Sequence, residues 1–270
     1  MTITSTARHA VAAGASSSPV GDAIVFDGVT VNFPDPRGGT RTVLSGVDLR
    51  IPAGEFTAIV GRSGCGKTTL LNMVAGLVEP AVGSVSVMGK RPRSARSHLG
   101  FMLARDALMP WRTALRNVEY GLELRGMRRS ERREVARRWL KAVHLGDSEQ
   151  LWPWQLSQGM RQRVALARTW ALNPDVLLMD EPFAALDVNT RTSVQREFLD
   201  LWQREEHRTV LFVTHDLGEA VALADRIVLM GEGRVLDDVR VDISRPRDLA
   251  TITGDAQYQA IHERLRQRLH

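Results

Sequence analysis

Residues 61 to 69 read GRSGCGKTT, and the spacing of Gly61, Gly66, Lys67 and Thr68 is the full G-x-x-x-x-G-K-[ST] phosphate-loop pattern. Glycines let such a loop turn tightly and aim backbone N–H groups at phosphate oxygens. Gly61, Arg62, Ser63, Gly64, Cys65, Gly66, Lys67, Thr68 and Thr69 are therefore candidate nucleotide-binding residues. Lys67 supplies a flexible positive point charge, and the Thr68 hydroxyl can sit on Mg²⁺. Such a loop by itself indicates nucleotide binding and leaves kinase, switch and mechanical ATPase open.

The segment VLLMDEP, residues 176–182, supplies the complementary carboxylates. Its four apolar residues suit a buried strand, with Asp180 at the end to help hold Mg²⁺. Glu181 follows directly, points differently, and suits a base or water-orienting group for attack on a γ-phosphate. An Asp-Glu pair alone is ordinarily an exposed loop; the apolar strand and the upstream loop reverse that reading. TVLFVTHD then places His215 just past another strand end, where an imidazole can contact the γ-phosphate.

The elements that must hold these groups follow from the pattern. IVFDGVTVNF and TVLSGVDLRI read as two strands around the turn-rich PDPRGG. FTAIV is a strand feeding the glycine loop, and LLNMVAGL carries a helix up to the break at Glu79-Pro80. Residues 82–89 and 99–103 suggest further strands. From about 105 to 160 the text turns Arg- and Glu-rich, with Leu122, Leu124, Val135, Trp139 and Leu140 at helical intervals, so a helical insert is expected. A helix from Gly159 to Leu172, the strand VLLM, a helix near 190–206 with Val194, Phe198, Leu201 and Trp202 on one face, the strand TVLFV, a short helix AVALA and the strand IVLM complete the α/β core. Residues 1 to about 22 read as a flexible arm, and Ile261, Leu265 and Leu269 mark a C-terminal helix within 251–270.

Composition sets the outer limits. The chain has 270 residues, 43% apolar and 25% charged, which excludes a wholly disordered or collagen-like polymer. Basic residues number 36 against 31 acids, giving a formal net charge of +5, and 33 of the 36 are Arg. So modest an excess makes no case for a nucleic-acid partner, and none is expected. The single cysteine, Cys65, forms no internal disulfide, and apolar runs such as 73–78 fall far short of the roughly 20 residues a membrane-spanning helix needs. A cytoplasmic location is expected, with membrane association only by surface contact or through a partner.

LSQGMRQRVALAR, residues 156–168, resembles the signature segment of ABC transporter ATPases, and the motifs above fall in that family's order over about residues 22–250. The resemblance implies a P-loop α/β core with an N-terminal antiparallel β element and an inserted helical subdomain, acting on ATP with Mg²⁺. It makes Gly61 to Thr69 the Walker A loop, Asp180 the Walker B aspartate, Glu181 the catalytic glutamate, Asp187 the D-loop aspartate and His215 the switch histidine. Phe33 matches the aromatic position that stacks on adenine. A head-to-tail dimer is implied, in which Ser157, Gln158 and Gly159 of one subunit close on the phosphate loop of the other. ALMPWRTALRNV, residues 107–118, resembles the LLPW segment in ATPase subunits of nitrate, sulfonate and taurine importers, and SRPRDL, residues 244–249, resembles their PRPRD stretch. The expected function is ATP hydrolysis on the cytoplasmic face of the membrane, driving an integral permease that imports a small solute delivered by a solute-binding protein.

Three positions depart from the family pattern. Ala104 stands at the Q-loop glutamine, and a methyl group can ligate neither Mg²⁺ nor water, so slow or weakly coupled hydrolysis is expected. Gln158 replaces the first signature glycine and adds a Cβ; Ala184 replaces the D-loop serine. A weakly hydrolytic ATP-binding adaptor is the alternative that Ala104 favours and Glu181 with His215 disfavours. A soluble ABC-type ATPase acting on nucleic acid is a second; the 90 residues from Lys67 to Ser157 leave no room for the long coiled coil of repair proteins. Arg128, Arg129, Arg132, Arg133, Arg137 and Arg138 are expected to form a solvated, Glu-paired helix surface, with a permease or headgroup contact and then a nucleic-acid contact as the alternatives.

Overall fold

A computed structural model describes residues 21–36, 38–103, 105–204 and 208–269. The expected arm lies almost wholly outside the described residues, and so does Ala104. β1 (Asp22–Pro34) pairs antiparallel with β2 (Thr40–Pro52) and, on its other edge, with β4 (Val82–Val87). Ile24, Phe26, Val29 and Val31 turn to the core along β1, an alternation interrupted by register shifts.

The main sheet has six strands in the order β5-β6-β7-β3-β8-β9. These are β3 (Phe56–Gly61), β5 (Leu99–Met102), β6 (Val176–Asp180), β7 (Thr209–Thr214), β8 (Arg226–Gly231) and β9 (Arg234–Arg240). All pairs are parallel except β8 with β9. β3, β6 and β7 are covered on both faces, which is why they read as nearly unbroken apolar runs. Phe56, Ala58, Val60, Leu177 and Met179 belong to one core, while Ile59, Val176, Leu178 and Leu211 belong to the other, which includes the antiparallel sheet and α1 (Lys67–Val74).

On the first face lie α2 (Ala114–Leu124), α3 (Arg129–Ala142), α4 (Gln158–Ala171), α5 (Val188–Arg204) and α6 (Leu217–Leu223). The Phe56 ring meets Phe198, Trp202 and Phe212 edge-on at 5.6–5.8 Å, joining sheet to helices. α4 packs on both α2 and α3, so the helical layer extends through Ala171. Leu122, Trp139 and Leu140 are buried as expected, but Leu124 is 71% exposed at the end of α2.

α1 stops at Val74 rather than near Glu79. Gly76 adopts φ +68°, and a Cβ there would meet the Arg93 backbone at 3.1 Å, so the chain turns out of the helix at that glycine. α7 (Ala256–Leu269) docks through buried Tyr258 and Leu265, with Ile261 and Leu269 half-buried beside them. SRPRDL fastens the approach to it. Arg245 pairs with Asp225 at 2.7 Å and lies 4.6 Å over Trp202, and the buried Arg247 guanidinium donates to Ala224 O at 2.7 Å. Burial lowers the Arg247 pKa to about 10.

Candidate active site

Three neighbouring parallel strands, β6, β7 and β3, end together. The phosphate loop leaves β3, Asp180 and Glu181 end β6, and His215 follows β7. Sites form outside the carboxyl ends of such strands because the connections leave a crevice there. A cavity of about 300 Å³ opens at this edge, lined by Phe33, Arg41, Val43, Ser63, Gly64, Gly66, Lys67, Thr68, Thr69 and Glu181.

The loop is wrapped for anion binding. Gly66 sits at φ +105°, and a Cβ on it would meet Leu44 Cδ2 at 2.4 Å, so only glycine brings the loop this close to β2. The buried Lys67 ammonium donates to the loop's own carbonyls, Gly61 O at 2.7 Å and Arg62 O at 3.2 Å. Arg62 and Cys65 do not line the cavity. With Ser63 and Gly64 they border a separate hollow beside Met230 and Leu269, and Cys65 is 7% exposed, its Sγ lying 2.7 Å from where a Gly61 Cβ would stand.

Thr68 Oγ1 donates to Asp180 Oδ1 at 3.2 Å. Burial raises the Asp180 pKa above the ordinary aspartate value, against the Thr68 hydrogen bond and with added repulsion from Glu181. One carboxylate and one hydroxyl at the foot of a phosphate cavity fit Mg²⁺, a hard cation that takes few protein oxygens and completes its shell with phosphate and water. His215 Nδ1 lies 3.0 Å from Glu181 Oε2, a contact the separate roles read from sequence did not anticipate. Glu181 adopts φ +45°, a conformation costly for a side chain with a Cβ, while its N–H donates to Val213 O at 2.9 Å.

The signature residues face elsewhere. Ser157 caps α4 by accepting from Met160 N–H at 3.2 Å, and Ser157 and Gln158 are exposed. Gln158 is the first residue of α4 and has no positive φ, so its Cβ is accommodated without strain. Gly159 packs on α5, where a Cβ would meet Thr190 Cγ2 at 2.4 Å. Asp187 caps the same helix, accepting from Thr190 N–H at 3.1 Å, and its bonds to Thr190 lower its pKa.

Residues that carry no motif connect these parts. Gln162 of α4 donates to Pro182 O beside Glu181. Arg161 pairs with Asp106 at 3.0 Å, and Arg168 donates to Asp106 O and Ala107 O at 2.8 Å each, so the signature helix grips the segment just past position 104. Arg191 bridges the D-loop and the histidine loop, donating to Leu186 O at 3.0 Å and lying 3.8 Å from Asp216. In the sequence only the proximity of these arginines to the signature and D-loop segments hinted at such links.

Phosphate loop, strand-end carboxylates and strand-end histidine on one parallel sheet define a P-loop nucleoside triphosphatase with an attached helical layer. Residues 44–184 match the ABC transporter family model. The chain is 42% identical over 231 residues to the taurine import ATP-binding protein of Escherichia coli K12, covering 83% of this chain and 90% of that one. It is 46% identical over 249 residues to the aliphatic sulfonates import ATP-binding protein of Burkholderia ambifaria, covering 92% and 72%. Among solved structures, a dimeric post-hydrolysis ATP-binding cassette bound to ADP and Pi matches with TM-score 0.73 at 32% identity, covering 82% of this chain and all of that one. The chain belongs to the ABC transporter family and is an ATP-hydrolysing subunit of that family. Among the described residues no helix is long and apolar enough to cross a membrane.

Proposed function

We propose that two copies of this chain, on the cytoplasmic face of a membrane, hydrolyse ATP to drive a permease importing a small sulfonate-, taurine- or nitrate-like solute delivered by a solute-binding protein. The likeness to the taurine and aliphatic-sulfonate import proteins supports the solute class. The observation that carries the mechanism is the division of the site: Lys67, Thr68, Asp180, Glu181 and His215 converge within one chain, while Ser157 and Gln158 lie exposed at the N-terminus of α4 and bond to none of them among the described residues.

In this reading the loop N–H groups and Lys67, released from its carbonyls, hold the β- and γ-phosphates, and Phe33 stacks on the adenine. Thr68 and Asp180 hold Mg²⁺, which when bound neutralises charge on the leaving phosphates. Glu181 takes the proton of the attacking water, and His215 holds Glu181 oriented at 3.0 Å and faces the γ-phosphate. The partner's Ser157–Gly159 turn presents N–H groups and a helix N-terminus to the same phosphate. The permease seats beside Leu103 to Trp111, where Leu103 is 44% and Trp111 71% exposed.

Ala104 makes turnover slow or loosely coupled in this reading. ATPase activity of the wild type and of Ala104→Gln, each with and without the reconstituted permease, tests it: the glutamine raises partner-stimulated turnover, and identical rates in both settings reject the idea. Solute-stimulated ATP hydrolysis by the complete complex, compared for taurine, an alkanesulfonate and nitrate, tests the cargo class.

A further inference from the structure

We propose that the helical layer carries a second anion site, formed by Arg116 and Arg133 in a cavity that Trp111 and Trp152 also line, that takes a tetrahedral oxyanion on a short organic stem. A cavity of about 510 Å³ opens there, bordered also by Arg112 and Gln150 and sharing no residue with the nucleotide cavity. Arg112 is occupied: its guanidinium donates to Glu123 at 2.8 Å and lies 4.9 Å over the Tyr120 ring. Arg116 and Arg133 are held more loosely. Their nearest carboxylate is the buried Glu119, at 3.8 and 4.0 Å, and Arg132 crowds the same group at 3.9 Å.

Neither Arg116 nor Arg133 makes a side-chain hydrogen bond among the described residues, and the Nε atoms of Arg132 and Arg133 are buried without a partner. Guanidinium stays charged at any working pH, so these donors cannot be relieved by losing a proton. Among the described residues Arg112, Arg116, Arg132, Arg133 and Arg137 pair with Glu119, Glu123 and Glu149 alone, leaving the cluster short of negative charge. A guanidinium fork matches paired oxyanion oxygens, and the exposed Trp111 indole beside them suits an apolar stem. Such a ligand comes either from solution, as an organic sulfonate or phosphate ester, or from the headgroup of an anionic lipid. The site stands whether or not the import reading holds.

Tryptophan fluorescence of the full chain without nucleotide, at ionic strength fixed with chloride, tests the site with sodium ethanesulfonate and with phosphatidylglycerol vesicles against phosphatidylcholine vesicles. A saturable change with ethanesulfonate assigns a soluble ligand, and one with phosphatidylglycerol alone assigns a lipid headgroup. Either response weakens about tenfold in Arg116→Gln/Arg133→Gln, as loss of charge-assisted bonds requires, and persists in Lys67→Ala, which separates it from the phosphate loop. Arg116→Gln alone, on a side chain 43% exposed, serves if the double variant does not fold. No saturable response to either anionic probe, or an undiminished response in the arginine variants, overturns the proposal.

Discussion

The nucleotide edge of the sheet and the helical layer solve opposite problems with the same chain. At the sheet edge, parallel strands buried on both faces fix the exit points of the phosphate loop, Asp180 and His215, and short side chains reach one another directly at 3.0–3.2 Å. In the helical layer, long arginines reach backbone carbonyls and shared carboxylates, as Arg161, Arg168 and Arg132 do. The first arrangement fixes catalytic groups at strand ends; the second ties a loop to a helix through hydrogen bonds.

The sharpest way to break the comparison is to remove chemistry from the edge without touching the layer. Glu181→Gln should lower ATP turnover by about 10²–10⁴-fold, measured as phosphate release, while ATP still draws two copies together in sedimentation. Next in size is the layer's grip on the loop. Burial lowers the Arg168 pKa, and Arg168→Met removes its bonds to two carbonyls, costing about 0.5–1.5 kcal/mol. Amide exchange across 105–109 should quicken, with Mg-ATP affinity unchanged.

A smaller effect comes from Glu219, which links the two regions by accepting from Thr214 at 2.6 Å and Gln195 at 2.7 Å. Burial holds its proton above the ordinary glutamate range, so the folded state binds that proton more tightly than the unfolded chain. That stabilisation is complete below the ordinary glutamate pKa and is lost as pH rises through the raised folded value. Glu219→Gln, with no charge to desolvate, should raise Tm near about pH 7 and leave it almost unchanged near about pH 4. The smallest effect is expected of Gln158→Gly: the side chain already fits the first turn of α4, so turnover should change by no more than about twofold.

The same contrast decides what could be read from sequence. FTAIV, VLLM and TVLFV are legible because double-sided burial leaves them apolar but for Thr57 and Thr209, and the motifs sit at their ends. β9 was hidden because RVLDDVR is an edge strand whose charges are held by Arg226 on Asp238 and Arg264 on Asp237, not by burial. The early stop of α1 lies at Gly76, whose φ of +68° ends the helix inside the run LLNMVAGL, where a glycine is the usual stop. Gln162, Arg168 and Arg247 bond to carbonyls, which every residue has, so no pattern of side chains marks their targets. SRPRDL was visible only as a family likeness; the structure gives it the work of fastening the C-terminal segment to α6 and Trp202.

Whether one active site takes residues from two copies can be read from a mixing experiment. Lys67→Ala and Ser157→Arg are each expected to be inactive alone, since every site in either homodimer lacks one half. Mixed together, the two variants form dimers in which one site pairs an intact Lys67 with an intact Ser157, and ATP hydrolysis should return. A mixture as inactive as its components, although the two chains demonstrably associate, would contradict the shared site.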